Sequence, residues 1–136
     1  MSIEKMNRKK RALIIVDHGS TFKEANDMLI EIANMVRQSS KGEIDIVKHA
    51  HMELAKPTIS EAFDASITEG AEEIIVHPYF LSPGRHSKED IPNMVKEAAR
   101  NHPHISYSIT EPLGIHPKII DVVLDRVIMA KYHNRN

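Results

Sequence analysis

The chain is 136 residues long, with 41% hydrophobic and 27% charged residues and a formal net charge of −1. That length fits one domain of ordinary soluble composition, without room for a second core of normal size, and the near-neutral charge gives no bulk attraction to nucleic acid or an anionic membrane. Cysteine is absent, which excludes disulfides, thiolate zinc sites, cysteine-held iron–sulfur clusters and thiol nucleophiles and leaves any metal chemistry to His, Asp, Glu or water.

Residues 1–10 are polar and basic and read as a flexible N-terminal segment. The apolar run behind them, 12–16 (ALIIV), is too short for a signal-peptide core or a membrane span, so a cytoplasmic protein is expected. The same run has the character of a strand buried on both faces. A Gly-Ser-Thr turn follows, with Ser20 or Thr21 as a plausible N-cap. A helix is expected over about 22–38, where Ala25, Met28, Leu29, Ile32 and Val36 recur at near-helical spacing, and 39–42 breaks it. Residues 43–49 read as a second strand. Pro57 and Thr58 open a second helix that stops at Gly70. A third strand covers 73–77, and a long loop, 78–85, leads to a helix over 87–101. Pro92 pushes the expected start of that helix toward Glu89. Residues 105–109 form a fourth strand, and 116–131 a last amphipathic helix on Ile119, Ile120, Val123, Leu124 and Val127. Residues 11–132 thus read as one domain and 133–136 as a frayed tail.

This βαβαβαβα order predicts an α/β fold, an open parallel sheet of four strands with helices on both faces. In such sheets ligands bind in the crevice at the carboxyl ends of the strands. Histidines and acids collect there: Asp17 and His18 after the first strand, His49, His51 and Glu53 after the second, His77 and His86 after the third, and Glu111 and His116 after the fourth. Two roles are open for His18, a metal ligand or base at the crevice floor, or a histidine bonded to a neighbouring loop. Glu89 shares a helix face with His86, or it simply favours the positive end of the helix dipole. Glu53 is a solvated loop charge unless a ligand claims it. His116 either caps the last helix or receives a carboxylate. His102 and His104 flank a proline and are expected to be exposed. No P-loop, G-x-G-x-x-G or nucleophile elbow is present.

Four segments are more specific than this chemistry requires. They are Val16-Asp17-His18-Gly19-Ser20, then His51-Met52-Glu53-Leu54-Ala55-Lys56-Pro57, then the run from His77 through Tyr79-Phe80-Leu81-Ser82-Pro83-Gly84-Arg85-His86 to Pro92, and Glu111-Pro112-Leu113-Gly114 with His116. Together, from about Arg11 to Arg126, they resemble the small sirohydrochlorin chelatases, the short members of the class II chelatases. The resemblance implies a chelatase fold of half the size of the two-lobed ferrochelatases, with a homodimer supplying the second half. It implies His18 as metal ligand and proton acceptor and His86 as second ligand. Leu81, Ser82, Pro83, Gly84 and Arg85 would line the tetrapyrrole, and Glu53 would contact it. Glu89 and His116 are lesser candidates. The implied activity is insertion of Co²⁺ or Fe²⁺ into sirohydrochlorin for cobalamin or siroheme, with Ni²⁺ also compatible with imidazole and no cofactor beyond the substrate metal. A non-catalytic metal or tetrapyrrole carrier is the alternative. Many members have Gly where Asp17 stands, so Asp17 is expected to lie outside the essential chemistry. In this it resembles the plant siroheme-forming branch, whose cysteine-rich tail for an iron–sulfur cluster has no counterpart among these residues.

Overall fold

Strand β1 (Arg11–Asp17) contains the β-branched run that the sequence marks as doubly buried. In the computed structural model, which describes residues 8–82, 84 and 87–133 (Ser87 by its backbone alone), β1 pairs in parallel on both edges. Strand β2 (Ile46–His51) lies on one side and β3 (Glu73–Pro78) on the other. Strand β4 (Ser106–Ile109) adds to β3, so the four-stranded sheet has the order β2-β1-β3-β4. The fold class expected from the alternating pattern is the one observed.

Helix α1 (Lys23–Ser39) turns Leu29 and Ala33 against Ile15 and Val47 on one face of the sheet. Helices α2 (Ile59–Thr68) and α3 (Ser87–Ala99) cover the other face, packing Phe63, Ile91 and Val95 around Ile14, Val16, Ile74 and Val76. Pro57 stands just before the N-cap of α2, and Thr58 is the cap. Its hydroxyl accepts the Glu61 N–H (3.1 Å), and the Glu61 carboxylate accepts the Thr58 N–H (3.0 Å). Gly70, at φ +100°, lies just beyond the end of this helix.

Several local expectations are corrected. β2 starts three residues later than its sequence pattern suggested and runs on to His51, because its register follows β1 up to the Asp17–His51 pair. Helix α3 begins at Ser87 with Pro92 inside it; in the second turn the proline costs only the bond to the Lys88 carbonyl. Residues 8–10 are held in place, Arg8 by Asp45 (2.8 Å) and the Gly42 carbonyl (2.7 Å), Lys10 by the Glu69 carbonyl (2.9 Å). His102 is half-buried, with Nε2 2.8 Å from Asp64 and its ring against Phe63.

The largest departure is the last helix. Helix α4 (Pro117–Ile128) buries none of its residues, and Ile120, Val123, Leu124 and Val127 of its amphipathic stripe are each more than half exposed. The sheet has a matching vacancy. Register places Glu73 opposite Ser106 and Ile75 opposite Ser108, on the side away from α2 and α3. Helix α1 packs over β2 and β1, so a groove of about 290 Å³ remains open there, bordered by Arg11, Glu73, Ile75, Ser106 and Ser108.

Phe63 anchors the larger cluster, fully buried with Tyr107 edge-on at 6.4 Å. Phe63→Ala is expected to lower unfolding free energy by about 3–5 kcal/mol; a urea midpoint equal to that of the parent chain would refute this placement of the core.

Candidate functional site

The parallel strands bring four loops to one edge of the sheet, and main-chain bonds join them in pairs. The loops after β1 and β2 are tied by Met52 N–H to the Asp17 carbonyl (2.9 Å) and Glu53 N–H to the His18 carbonyl (3.1 Å). This approach is possible because residue 19 is glycine. At φ +88° a Cβ there would stand 1.9 Å from the Glu53 carbonyl oxygen. The loops after β3 and β4 are tied by Leu113 N–H to the Phe80 carbonyl (3.0 Å) and Gly114 N–H to the Leu81 carbonyl (2.9 Å).

His18 emerges between the two pairs. Its side chain is exposed, and its ring stacks on Phe80 with centroids 4.8 Å apart and planes at 26°. Behind it, Asp17 Oδ1 accepts the Gly19 N–H (3.0 Å) and lies 2.5 Å from Nδ1 of His51, a histidine only 1% exposed. The turn into α1 is held by Asn26, which exchanges bonds with the Ser20 main chain (2.9 and 2.8 Å). Phe22 takes the N-cap position without a side-chain cap, and the Ser20 hydroxyl accepts the Phe22 N–H (3.0 Å), in place of the Ser20 or Thr21 cap expected.

Two more histidines line this edge. His77 Nδ1 is 2.7 Å from the Thr110 hydroxyl, which donates to the Glu111 carbonyl (2.8 Å). The hydroxyl proton is thus committed, so Nδ1 is the donor and Nε2 keeps its lone pair. Burial lowers the His77 pKa, opposed by the Glu111 carbonyl. Burial also lowers the pKa of His49, and the neighbouring His51 adds to the shift. A cavity of about 280 Å³ opens between Phe80, Lys88, Ile91, Pro92, Thr110 and Glu111.

Of the residues expected at the site, His18 and Glu53 are brought together through their main chains, with Glu53 exposed. Leu81, Ser82 and Gly84 continue the exposed rim beyond Phe80, and Glu89 is exposed in the first turn of α3. His116 is the N-cap of α4, its Nδ1 accepting the Lys118 N–H (3.1 Å), so its capping role is the one realised. Pro83, Arg85 and His86 lie outside the described residues. Among the described residues no three His, Asp or Glu side chains converge as a metal-binding group. Sequence reasoning missed Phe80 as the platform for His18 and the partnership of Asp17 with His51. Phe80 stood inside a quoted motif, whereas nothing local marks two side chains 34 residues apart.

A four-stranded parallel sheet with helices on both faces defines an α/β protein, and its carboxyl edge presents the exposed His18 and Glu53. The chain belongs to the CbiX family, which it matches over residues 12–130. It is 48% identical over 115 residues to the chloroplastic sirohydrochlorin ferrochelatase of Arabidopsis thaliana, covering 85% of this chain and 50% of that protein. It is 32% identical to the sirohydrochlorin cobaltochelatase of Sulfurisphaera tokodaii, covering 85% of this chain and 89% of that one. The structure of the sirohydrochlorin chelatase SirB from Bacillus subtilis subspecies spizizenii in complex with cobalt superposes with a TM-score of 0.80 at 30% identity, covering 88% of this chain and 50% of that one. The chain therefore spans about half the length of the plant and Bacillus relatives and most of the archaeal one.

The two depressed histidines fix a pH dependence. Both bind protons less well folded than unfolded, where the ordinary value is 6.5. Stability is therefore complete above that value and falls as pH drops below it. The urea midpoint is expected to decrease between pH 7.5 and 5.5, and less so in His77→Gln; an equal decrease in that variant would remove His77 from the account.

Proposed function

We propose that the chain catalyses insertion of Co²⁺ or Fe²⁺ into sirohydrochlorin, in the cytoplasm and with no cofactor besides the substrate ion. The observation that carries this reading is the 48% identity to a sirohydrochlorin ferrochelatase over 115 residues. The reaction exchanges two pyrrole N–H protons for one divalent ion, so the site needs a transient ligand and a proton acceptor rather than a closed four-ligand cage. Imidazole serves both purposes near neutral pH. His18 is the proposed ligand and acceptor, and the Phe80 face supports its ring. His86 is the proposed second ligand. The tetrapyrrole is proposed to lie against Glu53 and the stretch Leu81, Ser82, Pro83, Gly84 and Arg85, with Glu89 and His116 at its margin. Lys88, exposed at the 280 Å³ cavity, and Arg85 suit the carboxylate arms of such a substrate.

A homodimer completes the same reading. A relative of twice the length shares the fold, and this chain carries both an uncovered apolar helix stripe and an uncovered sheet face. In a two-fold pair each α4 covers the β3–β4 face of the other copy, the self-complementary arrangement of an isologous contact.

Two measurements test these points. In a single-turnover insertion assay with sirohydrochlorin and either Co²⁺ or Fe²⁺, the parent chain accelerates insertion and His18→Ala loses at least about 10²-fold of that rate, the range for a positioned acid–base group. Full activity in His18→Ala would sink the mechanism, and tight binding of metal or tetrapyrrole without acceleration would make the protein a carrier. In sedimentation equilibrium the parent chain is expected as a dimer, and Val123→Lys with Val127→Lys as a folded monomer. A monomeric parent would overturn the α4 contact.

A further inference from the structure

The reaction chemistry does not use Asp17 and His51, a buried histidine paired with a partly buried carboxylate directly beside His18. His51 is 1% exposed, too enclosed to touch a tetrapyrrole, and Asp17 Oδ1 is shared between His51 Nδ1 (2.5 Å) and the Gly19 N–H (3.0 Å). The two residues are register partners at the last rung between β1 and β2. Their main chains continue the link, His51 N–H to the Pro57 carbonyl (2.9 Å), Met52 N–H to the Asp17 carbonyl (2.9 Å) and Glu53 N–H to the His18 carbonyl (3.1 Å). The carboxylate therefore grips both residues that flank the two loops, Gly19 just after His18 and His51 two before Glu53. An enclosed polar contact is a poor source of stability, since well-packed apolar side chains of similar volume often do as well or better. What it supplies is direction, because a short charge-assisted hydrogen bond tolerates little displacement.

Resting on the chelatase reading, we propose that Asp17 and His51 are positioning residues for metal insertion, a side-chain clamp that fixes the spacing of the His18 and Glu53 loops. His18 is then constrained from two directions, its ring by Phe80 and its main chain by the clamp. Asp17 gains a role as a support that touches neither metal nor tetrapyrrole.

The test compares deletions with isosteric rescues in the insertion assay, alongside unfolding curves and the ring signals of His18 by NMR. Asp17→Ala and His51→Leu, folded, are expected to lose about 10- to 100-fold in kcat, the scale of a misplaced catalytic group, with KM for sirohydrochlorin nearly unchanged. Asp17→Asn keeps the acceptor and His51→Asn places an amide donor near Nδ1, so both recover most of kcat and restore the His18 signals that the deletions shift. Should Asp17→Ala fail to fold, Asp17→Glu replaces it: the charge stays, the carboxylate moves by one methylene, and kcat falls. Deletion variants with parent kcat, or rescues no better than deletions, overturn the clamp while leaving the chelatase reading intact. An inactive parent chain overturns that reading, and with it any catalytic role for the pair.

Discussion

Strand β1 is paired in parallel on both edges, and the rest of the molecule is arranged by that constraint. Each neighbour must be reached by a crossover helix, so helices occupy both faces and every strand delivers its carboxyl end to the same edge. The two edges of β1 end differently. Toward β2 the pairing persists to Asp17 and His51, whereas toward β3 it ends at Val16 and Pro78. Proline has no N–H to continue a ladder, and the next residue, Tyr79, donates to the Val16 carbonyl (2.6 Å) as the chain turns across the end of β1. That turn lays Phe80 over His18, while the longer β2 side supplies the brace beneath. The exposed histidine is the product of a one-residue difference in where its two neighbouring strands stop.

Much of this was legible in the sequence. A doubly buried strand reads as a short β-branched run, and a covered helix as a 3.6-residue repeat, so β1, β3, α1 and α2 fell close to their expected limits. The position of His18 one residue past such a run is likewise a local fact. The failures share a cause: they depend on partners distant in the chain. The end of β2 is set by its rungs with β1, not by its own composition, because Lys48, His49 and His51 interrupt its apolar pattern. The bond between Asp17 and His51 has no local signature, since each residue alone resembles an ordinary loop polar group. His102 was expected in solvent because it precedes a proline, yet Asp64 and Phe63 of α2 claim it. Pro92 misled in the opposite sense, since a single lost main-chain bond near a helix start is outweighed by burying Ile91 and Val95 beside it.

Helix α4 shows how far periodicity carries and where it stops. The stripe of Ile120, Val123, Leu124 and Val127 identifies a helix that needs an apolar partner, but not which surface provides it. Among the described residues nothing covers the β3–β4 face of its own sheet on the side away from α2 and α3, yet none of the residues of α4 is buried. The exposed apolar area of the helix is a cost in water, which the proposed contact between two copies removes from both copies at once. The same proposed contact also reaches the loop beside His18. The segment leading into α4 bonds through Leu113 and Gly114 to the carbonyls of Phe80 and Leu81, and Phe80 is the platform for His18. In the proposed dimer, seating α4 on a second copy thus immobilises the loop that carries Phe80. Assembly and the placing of the imidazole become parts of a single mechanical arrangement.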